Sequence, residues 1–196
     1  NACMHCIVAA PTAGACGVLP AVLLPYGRRY ELPEDALIKA LYVASGFGAV
    51  IAQRASISGA EAGCQAEIGT AAAMAAAALV YLHGGSAVQM ANAAAMALKN
   101  MMGLVCDPVA GLVEVPCIKR NAAGAMNALC AAEMALAGIE SRIPPDEVID
   151  AMAAVGAALG FQAMLQQGTS IVGWAALPVI VIPAFTIVAA KVRRAK

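Results

Sequence analysis

Cys64, Cys106 and Cys117 each adjoin a break or a helix start in the sequence pattern, and polar residues collect around them. Cys64 lies in Glu61-Ala62-Gly63-Cys64-Gln65-Ala66-Glu67, at a loop-to-helix junction. Cys106 and Cys117 bound one irregular stretch, Cys106-Asp107-Pro108-Val109-Ala110-Gly111-Leu112-Val113-Glu114-Val115-Pro116-Cys117, with Ile118-Lys119-Arg120-Asn121 behind it. A helix N-terminus lowers a thiol's pKa and so favours the thiolate that a metal binds. Pro108 and Pro116 stiffen the stretch. Iron–sulfur clusters are held by cysteine thiolates, usually four. Three would leave one iron with an open position, which a Lewis-acid catalyst needs. The same residues also suit a plainer use as small buried hydrophobes, and spacing without a CxxC favours that use.

The other candidates carry less. Cys3-x-x-Cys6, with His5 between, has the form of a metal or redox pair but stands at the start of the chain. Cys16 reads as a site residue or a filler, and Cys130, in mid-helix among alanines, reads as core. Seven cysteines in a chain that is neither short nor loop-rich do not form a secreted disulfide scaffold. Reduced thiols or metal ligands, and a cytoplasmic location, are the expectation. His83 precedes Gly84-Gly85, where histidine commonly caps helix carbonyls. A general base from this chain is therefore poorly supported. Met74, Met90 and Met96, at helical spacing, read as core.

These polar groups stand out because the chain has few of them. Its 196 residues are 62% hydrophobic and 12% charged, against about 25% charged in an ordinary domain. That excludes disorder. The 12 basic and 12 acidic side chains cancel, which leaves no field to hold nucleic acid. A mean hydropathy of +0.78 raises two other settings, a lipid bilayer or the buried core of a larger assembly.

The elements that must position the cysteines are helices, since no alternating strand pattern competes. Small residues of Ala9–Gly17 form a turn-rich loop. Val18–Leu24 reads as a short buried helix and Pro25–Leu32 as a polar loop. Pro33-Glu34-Asp35 opens a helix to about Gln53, with Pro tolerated and acids favoured in the first turn. After the loop Ile57–Gly63 come an alanine-rich helix Cys64–Leu82 and a helix from the Ser86 cap to Gly103. Leu104–Arg120 breaks the pattern, Asn121 caps a further helix ending at Gly138, and Pro144-Pro145-Asp146-Glu147 starts one to about Leu159. The expected fold class is all-α: a compact Ala/Gly-rich helical domain over residues 1–160, its iron–sulfur site built from loops between helices. An atypical apolar tail occupies 161–196. Within it Ile171–Ala190 is long enough for one bilayer crossing, with a basic flank behind it. Glu67, Lys99, Glu133 and Asp150 inside the earlier helices argue against a polytopic membrane protein. Beginning at Asn1, the chain reads as a fragment or a processed chain, and residues 1–10 lack the basic region of a secretory signal.

Three segments carry a resemblance: Ile7-Val8-Ala9-Ala10-Pro11-Thr12-Ala13-Gly14, Gly63-Cys64-Gln65-Ala66-Glu67, and the long run from Cys106 to Ala122. They resemble the α subunit, or α domain, of the iron–sulfur-dependent L-serine dehydratases, from about Asn1 to about Leu159. The resemblance implies a [4Fe–4S] cluster held by Cys64, Cys106 and Cys117, and deamination of L-serine to pyruvate and ammonia. It implies substrate contacts from Thr12, Ala13 and Gly14, and from Lys119 and Asn121, with Arg120 near the cluster charge. The base is expected on a β subunit or domain, with which the chain would form an oligomer. Ala15 and Cys16 stand where family members often have serine. After Leu159 the family's usual ending is replaced by the apolar tail, so the end reads as truncated or rearranged. The alternative function is a non-catalytic or membrane-anchored helical subunit, through 171–190 if at all.

Overall fold

The computed structural model describes residues 6–107 and 114–159. They belong to the first of two units into which the chain divides, Asn1–Leu159 and Gly160–Lys196. The expectations for the 161–196 tail and for a crossing at Ile171–Ala190 lie outside the described residues.

Among the described residues every regular element is helical. Helix α1 spans Val18–Arg29, α2 Glu34–Arg54, and α3 is the single turn Gly59–Ala62. A wide π-helical turn, Gln65–Gly69, leads into α4, Thr70–Leu82. Helix α5 spans Ala87–Asn100 and α6 Glu114–Leu136; residues 145–159 form α7.

The sequence of α4 explains the architecture. It is so rich in alanine that every residue from Thr70 to Val80 is buried, on all sides of the helix. A helix apolar all round must be enclosed, and α1, α2, α5 and α6 pack around this one. Small residues set the spacing. A Cβ added to Gly48 of α2 would lie 2.8 Å from Met74 Sδ, and one on Gly124 of α6 would lie 2.8 Å from Ile68 Cγ2 and 3.2 Å from Val18 Cγ2. Met74 is buried in this core, with Met90 and Met96 packed against it. Polar bonds fix α5 beside α6: Asn127 Nδ2 donates to Ala97 O at 2.7 Å and Gln89 Nε2 to Ala135 O at 3.1 Å. Ser86 caps α5 with a capping box closed by Gln89.

Among the described residues two helices, Glu34–Arg54 and Gln65–Leu82, are long and apolar enough to cross a membrane. The second is the enclosed core rod. The first exposes Leu41, Tyr42 and Val50.

Several boundaries differ from the sequence expectation. Helix α1 continues past Pro25 to Arg29. Packing holds the helix beyond the proline: Gly27 is buried against Leu37, and Tyr26 packs on Tyr30 and on His83. Helix α5 ends at Asn100, and Met101–Gly103 is a turn closed by a glycine at φ +85°. Helix α6 begins at Glu114, seven residues before Asn121, so Asn121 is not its N-cap. Cys130 is exposed, not core. It shares the outer stripe of α6 with Met126 and Glu133 at helical spacing, while Ala128, Ala131, Ala132 and Ala135 take the inner face.

Candidate metal centre

The site forms where α3 turns into α4 and the head of α6 passes over it. Gly63 makes the corner. Its φ of +79° is left-handed, and a Cβ there would lie 2.7 Å from Leu104 O. Cys64 follows as the N-cap of the π-turn, and the Gln65 N–H, left without a partner in its own turn, donates to Leu104 O at 3.0 Å. The Gln65 side chain is fully buried. Its Oε1 accepts from Gly103 N at 2.8 Å and its Nε2 donates to Met152 O at 3.3 Å, which ties the 103–104 segment and α7 to the corner.

Cys64 and Glu67, three residues apart, face the same side of the wide turn. On α6, Cys117, Arg120 and Asn121 share one face by i, i+3, i+4 spacing. One ligand atom each from Cys64, Glu67 and Cys117 lie within 4.8 Å of one another. Cys64 and Cys117 are buried. Cys106 is exposed and stands outside that group. Of the three cysteines singled out in the sequence, the structure brings Cys64 and Cys117 together, with Glu67 in place of Cys106.

Arg120 closes the site. Its Nη1 donates to Cys64 Sγ at 3.0 Å and to Val105 O at 3.1 Å, and pairs with Asp107 Oδ1 at 2.5 Å. Burial opposes its charge; Asp107 and Cys64 outweigh that and hold the guanidinium above its usual value. The expectation that a helix start lowers the thiol pKa is reversed at Cys64. Burial pushes it up to about 11, against the pull of Arg120. Cys117 is also raised, by burial first and then by the Glu67 carboxylate and Cys106.

The 10–17 loop reaches the same place. Thr12 Oγ1 donates to Glu67 Oε1. Gly14 and Gly59 press on that carboxylate: an added Cβ would lie 2.6 Å from Oε1 at Gly14 and 2.8 Å from Oε2 at Gly59. Asn121 anchors the loop from α6. Its Oδ1 accepts from Gly17 N at 2.9 Å, and its Nδ2 donates to Gly14 O at 2.6 Å and Cys117 O at 2.8 Å. Ala13 and Lys119 are exposed, and Lys119, two residues after Cys117, lies off the helix face that Cys117, Arg120 and Asn121 share.

Glu67 is the functional candidate that the sequence reading left out of its site. Its signal was present: a charge in a charge-poor chain, three residues after a cysteine. Two thiols and a carboxylate converging beside a guanidinium suit a metal centre with sulfur and oxygen donors.

The family model of the serine dehydratase alpha chain matches residues 1–168. Over 156 residues the chain is 59% identical to the probable L-serine dehydratase, alpha chain, of Bacillus subtilis, covering 80% of this chain and 52% of that protein. It is 56% identical over 156 residues to the corresponding protein of Latilactobacillus sakei, covering 80% and 75%. Against L-serine dehydratase 2 of Escherichia coli it is 49% identical over 158 residues, covering 80% of this chain and 35% of that one. The chain thus spans about half the length of the Bacillus relative and about a third of the Escherichia one.

Proposed function

The chain belongs to the serine dehydratase alpha-chain family, and on that premise we propose that it is the cluster-bearing part of a cytoplasmic L-serine dehydratase, converting L-serine to pyruvate and ammonia. Cys64, Cys106 and Cys117 would hold a [4Fe–4S] cluster. When bound, that cluster supplies Lewis acidity toward the substrate hydroxyl, making it a better leaving group. Arg120, on Cys64 Sγ, offsets the negative charge of the thiolates. Thr12, Ala13 and Gly14 offer a hydroxyl and backbone amides to the substrate carboxylate. Lys119, exposed on α6, would add a cation toward that carboxylate. Asn121 serves the substrate by holding the loop, since both its N–H donors go to backbone carbonyls. The α-proton is removed by a base on a β subunit or domain, with which the helical domain of residues 1–160 works in an oligomer.

The observation that carries this reading is the convergence of the Cys64 and Cys117 thiols and the Glu67 carboxylate against the Thr12 loop. Anaerobic reconstitution with iron and sulfide tests it. The expected result is a brown cluster absorption that disappears in Cys64→Ala, Cys106→Ala and Cys117→Ala. Adding the β partner and L-serine is expected to yield pyruvate. A cluster that survives all three substitutions would sink the ligand assignment.

A further inference from the structure

We propose that Glu67 is a fourth protein donor, giving a carboxylate oxygen to the iron that the three thiolates leave open, and that Thr12 holds it in that role. The inference rests on the cluster reading above and deepens it.

The charge arrangement points this way. A Glu67 oxygen lies within 4.8 Å of the Cys64 and Cys117 sulfurs. Among the described residues no cation pairs with it: Arg120, the cation at the site, is committed to Cys64, Val105 and Asp107. A carboxylate oxygen and two cysteine sulfurs this close together form a donor set for a metal centre, and a metal placed among the three would face all of them.

The carboxylate is also held in place. Thr12 Oγ1 donates to Oε1, and Gly14 and Gly59 leave no more room than the carboxylate fills. A ligand oriented by an outer hydrogen bond is the usual construction of a metal site. Thr12 lies in the loop assigned to the substrate carboxylate. A substrate that takes the Thr12 hydroxyl would release Glu67 from its orienting bond, so the oxygen donor yields its place as the substrate arrives.

The test uses the 196-residue chain, reconstituted anaerobically, reduced with dithionite and placed in ¹⁷O-labelled water without serine. Electron–nuclear double resonance then reads whether water oxygen is bound to the cluster. The wild-type cluster is expected to show no strong ¹⁷O coupling, and Glu67→Gln to gain it as water fills the vacated position. Strong ¹⁷O coupling in the wild type overturns the inference. A second reading does not depend on Glu67→Gln assembling a cluster. In Thr12→Val a chelator is expected to strip one iron per cluster about tenfold faster than in wild type, the usual scale for losing an outer-shell partner; an unchanged rate overturns the inference. A wild-type chain that binds no cluster at all overturns the functional reading as well, and so is distinct from failure of the Glu67 assignment alone.

Discussion

Cys64 is fully buried at the head of a helical turn, whereas Cys106 is exposed in the segment between α5 and α6. The first is set by the core: Gly63 turns the chain, Gln65 is locked below it, and α4 behind it is enclosed on all sides. The second is delivered by a segment held at a few points, Leu104 O on Gln65 N, and Val105 O and Asp107 on Arg120. The contrast shows how one cysteine can be placed by packing while another stays accessible. One wall is fixed by packing, and the other is tethered to it by polar bonds that can be broken one at a time.

The largest expected effect comes from the corner that joins the two regions. Gly63→Val would put a branched side chain at φ +79° with its Cβ 2.7 Å from Leu104 O and 3.2 Å from Leu159 Cδ1. Left-handed strain plus a backbone clash should cost about 3 kcal/mol or more. Gly103→Ala is the control, because its φ of +85° is equally left-handed but nothing lies within 4 Å. About 1 kcal/mol is expected there. Urea denaturation of the two variants measures the difference, and equal losses would mean that Gly63 is only a strained turn and not a junction.

Thiol chemistry of the metal-free chain should separate the regions next most sharply. Burial raises the Cys64 pKa from 9.0 to about 11, which leaves about a hundredfold less thiolate at neutral pH than an ordinary thiol carries. Cys106, exposed, should be alkylated first by iodoacetamide. Because the Cys64 pKa is raised, its rate should climb as pH increases and level off only above about 11. Peptide mass spectrometry across a pH series follows both residues. Equal rates at pH 8 would remove the distinction between a packed and a delivered cysteine.

A smaller loss is expected from the tether itself. Gln65→Leu deletes the fully buried side chain that accepts from Gly103 N–H and donates to Met152 O. Two such bonds, each worth about 1 kcal/mol, make a loss of about 2 kcal/mol. The same denaturation assay measures it, and cluster uptake should fall with it, since the 103–107 segment loses its hold. Full stability in Gln65→Leu would show that Arg120 alone positions that segment.

The two regions were unequally legible in the sequence, for physical reasons. Cys64 was visible because a loop of Ser and Gly met an alanine run, and the few charges clustered there. The 106–117 stretch was misjudged at its end because Pro116 was taken as a break. Pro116 falls in the first turn of α6, where backbone N–H groups have no helical partner, so its missing donor costs nothing there. Moving the helix start back to Glu114 changes the meaning of Asn121. It becomes a side chain on the inner face that ties three backbone groups together instead of a cap. Glu67 was weighed as a charge that membranes reject, and its place opposite Cys117 depends on a contact fifty residues away in sequence. No local pattern carries such a contact.

The smallest effect should come from two adjacent residues on the delivered side. Arg120 touches Cys64, Val105 and Asp107, so Arg120→Ala removes a charge-assisted bond and the hold on the 105–107 segment. About 1 to 2 kcal/mol is expected. Lys119, one position further round the helix, is exposed, and Lys119→Ala should change stability by less than about 0.5 kcal/mol. Cluster absorption should follow the same order, reduced in Arg120→Ala and intact in Lys119→Ala. In the assembled enzyme Lys119→Ala should raise KM for serine while leaving the cluster spectrum unaltered, as expected of a residue that meets only the substrate. A Lys119→Ala chain with a weakened cluster would place that lysine with Arg120, on the metal side of the site.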